Sequence, residues 1–91
     1  MTEQDYRRQA AAEHFAEPVL VQRDASYSLG EHDHPFEAFA LIFEGEITLQ
    51  VGGVRTTYGP GETFRLAPHT PHHEAAGPQG VRYLSARKEL A

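Results

Sequence analysis

Apolar positions are sparse at the start of the chain. Tyr6, Ala10 and Phe15 make a thin stripe among Ala, Gln and Glu, and no Gly or Pro occurs before Pro18. That spacing predicts a short N-terminal helix, with Thr2 or Asp5 near its start and Pro18 beyond its end. After Pro18 the texture changes to short β-branched or aromatic runs: "VLVQR", "ASYSL", "FEAFALIFEG", "ITLQV", "VRTTY", "TFRLA", "HHEAA" and "VRYLSAR". Turn residues separate most of them, at Gly30, Gly45, Gly52-Gly53, Gly59-Pro60-Gly61, Pro68, Pro71, Gly77-Pro78 and Gly80. Strands at this spacing predict an all-β sandwich or barrel. The division is a helical segment over 1–17 and one β domain over 18–91, with no linker, repeat or low-complexity tract.

Two runs carry more detail. In "ITLQV" the residues Ile47, Leu49 and Val51 share one face, and Thr48 and Gln50 the other. From Ala38 to Phe43 the chain is apolar on both faces, so this strand is covered twice, by the core and by a second sheet, a helix or another subunit. With the small size of the chain, this predicts a homodimer. Phe36, Phe39, Phe43 and Phe64 are assigned to core or interface. "VGGV" at 51–54 predicts a two-residue hairpin, because Gly accepts the positive φ such turns demand.

Composition narrows the picture. A chain of 91 residues without cysteine has neither disulfide nor thiolate to support it, and lies near the lower limit of what one apolar core can hold. Regular packing, a metal or a partner subunit must supply the rest. Lack of cysteine fits a reducing cytoplasm, and no apolar run approaches the length of a membrane span. A net charge of −5 with only eight Lys and Arg argues against a nucleic-acid partner.

The histidines carry the candidate chemistry. His14 sits on the proposed helix as a solvated or capping residue. The other five form two clusters, His32 and His34 before the long strand, and His69, His72 and His73 in "RLAPHTPHHEAAG". Residues two apart on an extended chain project to the same side, so His32 and His34 can aim at one point. A divalent ion takes such nitrogen donors at about 2.0–2.2 Å and needs more ligands from elsewhere. His72 is the natural third, on a strand whose inward residues are His72 and Glu74, with His73 outward. Either cluster alone is equally an exposed polar loop; together they point to a metal.

At these residues the chain resembles a known family. "HDHPFEAFALIFEGEITLQVGG" followed by "YGPGETFRLAPHTPHHEAAG" looks like the two motifs of the small single-domain cupins, over about residues 18–87. Gly45, Gly61, His32, His34 and His72 stand where that pattern places them. The likeness implies a double-stranded β-helix, or jelly-roll barrel, with a metal in its mouth. There are departures. The family's metal-binding Glu falls at Ala38, with Glu37 one residue early and so turned to the opposite face. The usual Pro and Gly of the second motif are replaced by Ala67 and His69.

A three-histidine site leaves part of the ion open to water or substrate. Its neutral ligands preserve the ion's charge, favouring a small polar or anionic molecule. Nitrogen donors suit Zn, Fe, Ni or Cu and, less well, Mn. Glu74 is placed to be a fourth ligand, a hydrogen-bond partner of the ligands or a general base; its plain alternative is an acid facing solvent. Tyr27, Tyr58 and Tyr83 are candidates to line the pocket, and Arg65 and Arg82 belong on outer faces. Two functions follow: a metal-dependent enzyme of dioxygenase-like, isomerase-like or hydrolase-like type, or a non-catalytic module that binds or senses a small ligand.

Overall fold

The computed structural model describes residues 1–89, and the last two positions of the expected β domain lie outside them. Helix α1 spans Glu3–Ala12. Six strands follow: β1 Val19–Arg23, β2 Ser28–His32, β3 Phe36–Val51, β4 Val54–Tyr58, β5 Thr63–Leu66 and β6 His72–Glu89. All pairings are antiparallel.

The runs expected as separate strands on either side of Gly45, and of Gly77 to Gly80, are instead two long strands, β3 and β6, paired along their lengths. Glycine bends them without ending them. Gly45 and Gly80 take φ of 69° and 75°, the left-handed region that glycine favours. The register shifts between Ile42 and Glu44 and between Gly45 and Ile47, as β-bulges do where a strand turns into another sheet. The bends nest so closely that a Cβ on Gly45 would overlap the Gly80 carbonyl.

Each half of a long strand therefore serves a different sheet. The first half of β3 and the second half of β6 are flanked by β5 and β1; the other halves are flanked by β4 and β2. Two four-stranded layers sharing their central strands make the expected jelly roll, and Gly52 and Gly53 make the expected hairpin at positive φ.

The inward rows meet in one core that includes Ala40, Ile42, Ile47, Leu49, Phe64 and Val81. The opposite face of the first layer is also apolar. Phe39, Leu41, Leu84 and Ala86 pack against Tyr6, Ala10 and Phe15 of the N-terminal segment. The second cover of the doubly apolar strand is thus the chain's own helix, and no second subunit is needed there. The outer face of the other layer carries Thr48, Thr57 and His73, as the alternation requires.

Local chemistry explains how α1 is seated. The Thr2 side chain caps it by accepting from the Asp5 amide at 3.1 Å. His14 adopts φ 67°, the Phe15 amide donates to the Ala10 carbonyl and the His14 amide to that of Ala11, a left-handed C-terminal cap. The Tyr6 hydroxyl then donates to the Phe39 carbonyl at 2.7 Å, and burial pushes its pKa to about 12. Arg65 lies over the Phe39 ring at 4.0 Å and binds Glu13 with both Nη atoms, which pulls the Glu13 carboxyl down to about 2.

His69, standing where the family pattern has glycine, takes φ 59°, so the turn keeps the left-handed backbone without the residue that suits it.

Two changes of opposite sign test this description by chemical denaturation. Tyr6→Ala removes a fully buried ring and should destabilise by about 3–5 kcal/mol; a loss below ~1 kcal/mol would mean that the helix is peripheral. His69→Gly relieves a left-handed residue and should stabilise by about 1 kcal/mol. A neutral or destabilising result contradicts that strain.

Candidate metal centre and cavity

Register brings the histidines together. His32 at the end of β2 is the Cα partner of His72 at the start of β6, across an irregularity in β2 between Leu29 and His32. Two residues later His34 returns to the same side, and its carbonyl accepts from the His69 amide at 2.7 Å, tying the loop to the second cluster. The ring centroids are 4.2 Å apart for His32 and His72, 4.9 Å for His32 and His34, and 5.3 Å for His34 and His72.

Glu74, two residues along β6, completes the group. Its side chain is 11% exposed and that of His72 only 2%, so Glu74 is not the solvent-facing acid of the plain alternative. One donor atom from each of His32, His34, His72 and Glu74 lies within 4.8 Å of every other. His73 points outward and is half exposed.

Hydrogen bonds fix which nitrogens face the centre. His32 Nδ1 lies 2.7 Å from the Gly30 carbonyl and His72 Nδ1 lies 2.8 Å from that of Thr70. A carbonyl only accepts, so each Nδ1 carries a proton, and each ring turns Nε2 inward, with a bare lone pair there whenever the ring is neutral. His32 Nε2 lies 3.0 Å from Glu74 Oε1, and His72 Nε2 lies 3.7 Å from the same atom. Lone pairs converging on a carboxylate repel unless a cation, a proton or a metal, lies among them. Donors bound at the lengths usual for zinc are about 3.4 Å apart around a tetrahedral ion, which these two distances bracket. Residue types, ring orientation and these two separations fit a divalent ion.

His34 has a depressed pKa. Burial is the main cause, followed by the neighbouring His32 and His72 and, more weakly, by Arg87, with Glu74 opposing. Its ring stacks on Phe36 at 4.9 Å.

Ala38 and Glu37 divide as the one-residue offset predicts. Ala38 faces the interior, and Glu37 lies 3.7 Å from Arg65 and 3.9 Å from Lys88 on the outer side. Arg82 is likewise outside, 3.4 Å from Glu44.

Beside the cluster, between the layers, lies a cavity of about 240 Å³. Apolar walls come from Ala38, Leu49, Phe64 and Leu66, and among the described residues Glu74 is the only carboxylate lining it. Tyr27 and Tyr83 line it, whereas Tyr58 packs against Phe64 at the core. Burial, reinforced by the charge of Glu74, raises the Tyr27 pKa and pushes that of Tyr83 to about 12. Arg23 and Arg87 also line the cavity, and the sequence reading missed both. Alternation carried the signal: Arg23 follows Val19 and Val21, and Arg87 follows Tyr83 and Ser85, in rows that face inward.

The family model described as the cupin domain matches residues 20–86. No curated protein matches the chain. Among solved structures, an RmlC-like cupin from Shewanella frigidimarina superposes with a TM-score of 0.71 at 23% identity, over 85% of this chain and 68% of that one. A conserved protein of unknown function from Streptococcus pyogenes gives 0.71 at 18% identity, over 79% of this chain and 62% of that one. The Fe(II) form of HppE gives 0.67 at 18% identity, over 78% of this chain and 41% of that one. The chain thus spans less than two thirds of the length of some of these neighbours, and at such identities the likeness is one of fold. Among the described residues no helix is long and apolar enough to cross a membrane.

The pKa of His34 sets a pH dependence for the metal-free protein. Between its lowered value and the ordinary 6.5 the unfolded chain binds more protons than the folded one. The contribution is therefore complete above 6.5 and is lost as pH falls through the lowered value. Thermal melts in chelator should show wild type losing more stability than His34→Gln on acidification; parallel losses contradict the assignment.

Proposed function

This chain belongs to the cupin domain family, and we propose that its His32, His34, His72 and Glu74 hold a divalent transition-metal ion that acts on a small polar or anionic molecule in the adjoining cavity. The observation that carries this is the convergence of two Nε2 lone pairs on the Glu74 carboxylate, with both rings held in that orientation by backbone carbonyls. Such outer hydrogen bonds orient metal-binding imidazoles and raise their basicity. The donor set is compatible with Zn, Fe, Ni, Cu or Mn. When bound, the ion supplies positive charge that polarises a ligand oxygen and lowers the pKa of water.

The other roles belong to the chain. The apolar walls exclude water from one side of the ligand and strengthen the electrostatics of the cavity. Tyr27 and Tyr83 keep their protons at neutral pH and serve as hydrogen-bond donors. Among the described residues Glu74 is the one carboxylate lining the cavity, and where it does not bind the ion it is the group assigned to take or return a proton. This reading is of a metal-dependent enzyme; the non-catalytic binding module is the alternative that its test must separate.

Elemental analysis of tag-free protein should show near-stoichiometric metal. His34→Ala should lose it and Glu37→Ala should keep it. Metal at one hundred times its dissociation constant should stabilise the apoprotein by about 2.7 kcal/mol. No bound metal, together with a melting temperature indifferent to added Zn, Fe(II), Ni, Cu or Mn, contradicts the proposal. A metal-loaded protein that binds organic acids and turns over none of a panel including thiols and diketones is the binding module.

A further inference from the structure

Of the basic residues, Arg7, Arg8, Arg65, Arg82 and Lys88 each lie within 4.0 Å of a carboxylate. Arg23 and Arg87 have no such partner among the described residues, and both line the cavity. Arg55 is the other, and it lies on the outer face of the second layer and does not line the cavity. Unpaired guanidiniums in a shared cavity are unexpected in a chain whose net charge is −5. Both are exposed while lining the cavity, and each lies over an aromatic ring, as Arg65 and Arg82 on the outer faces also do. The Arg87 guanidinium sits 4.3 Å over the Phe36 ring, whose other neighbour is the His34 imidazole. That of Arg23 sits 5.2 Å over Tyr27. Stacking on a ring leaves the edge of the planar fork open to a carboxylate, and of these donors Arg23 Nη1 already donates to the Gln22 carbonyl at 3.1 Å.

The two arginines enter from different ends. Arg23 on β1 is the Cα partner of Val81 on β6, and Arg87 lies six residues further along β6. At the rise of a strand that is about 20 Å of backbone. His34, His72 and Glu74 line the same cavity as Phe36, Tyr27 and both arginines. The volume, about 240 Å³, is below the roughly 300–1,000 Å³ of pockets for drug-sized ligands. It suits a short-chain acid.

We propose that Arg23 and Arg87 form a two-ended anion site, and that the molecule bound beside the metal centre is a short-chain dicarboxylate with one carboxylate on each guanidinium. This deepens the metal-centre reading and rests on it for the chemistry, but the two arginines recognise the dianion whether or not an ion is bound. A guanidinium pairs with a carboxylate through two parallel N–H···O bonds, so a molecule charged at both ends gains a second such pair over one charged at a single end.

The test is calorimetric titration of succinate, glutarate and adipate, with butyrate and valerate as singly charged controls, into chelator-treated and Zn-loaded protein. The best diacid should bind at least about tenfold more tightly than the monoacid of equal length. Arg23→Gln and Arg87→Gln should each remove that preference while leaving metal content and melting temperature unchanged, and Arg87→Lys should restore only part of it. Diacid and monoacid binding equally, or diacid binding indifferent to both Gln variants, overturns the two-ended site. The metal reading fails separately: a protein that binds no ion yet prefers diacids through both arginines sustains this proposal and refutes that one.

Discussion

His32 Nε2, His72 Nε2 and Glu74 Oε1 meet inside a small β sandwich, and their approach needs a cation among them, a proton on a ring or a metal ion. The backbone imposes this, because the Gly30 and Thr70 carbonyls each claim a ring Nδ1 and leave the lone pairs no other direction. A buried acceptor cluster of this kind is costly without a cation. The features that hold it are therefore as informative as the residues themselves: the direct pairing of His32 with His72 across β2 and β6, and the tether from the His69 amide to the His34 carbonyl.

The rest of the fold makes that pairing possible. Long strands bent at Gly45 and Gly80 allow one chain of this length to build two layers, so β2 and β6 can deliver imidazoles to the edge of a cavity walled by the other layer. A chain this short cannot bury its second apolar face by adding a sheet. The N-terminal segment does so with few residues, through Tyr6 and Ala10 of α1 and Phe15 just beyond it. Arg65 links the two solutions, stacking on Phe39 while it holds Glu13 at the end of the helix and approaches Glu37. Glu37, the acid nearest to the family's ligand position, is in this way committed to the outer surface.

Much of this was legible in the residues. Alternation placed His72 and Glu74 inward and His73 outward, and the offset of Glu37 from Ala38 gave the correct face for both. Turn residues were harder. Gly45 and Gly80 read as strand ends because a glycine's sequence signal is the same for a turn and for a bulge, and only the pairing of the neighbouring strand distinguishes them. The cover of Ala38 to Phe43 was foreseen as a sheet, a helix or another subunit, and the thin stripe of the N-terminal segment did not decide among them; the packing of Tyr6 and Phe15 on the sheet does. Arg23 and Arg87 were overlooked for a related reason. A charged residue at the end of an apolar row reads as the point where the strand leaves the core, whereas here the row ends in a cavity.

The fold is secured by family and by topology, so the central claim concerns what lies among the four donors. X-ray absorption at the metal edge of loaded protein addresses it most directly. The geometry predicts a first shell of nitrogen and oxygen at about 2.0–2.2 Å, with the multiple-scattering pattern of three imidazoles and one carboxylate. A spectrum with no imidazole scattering, or with the oxygen-only shell of an ion held at surface carboxylates, would contradict it.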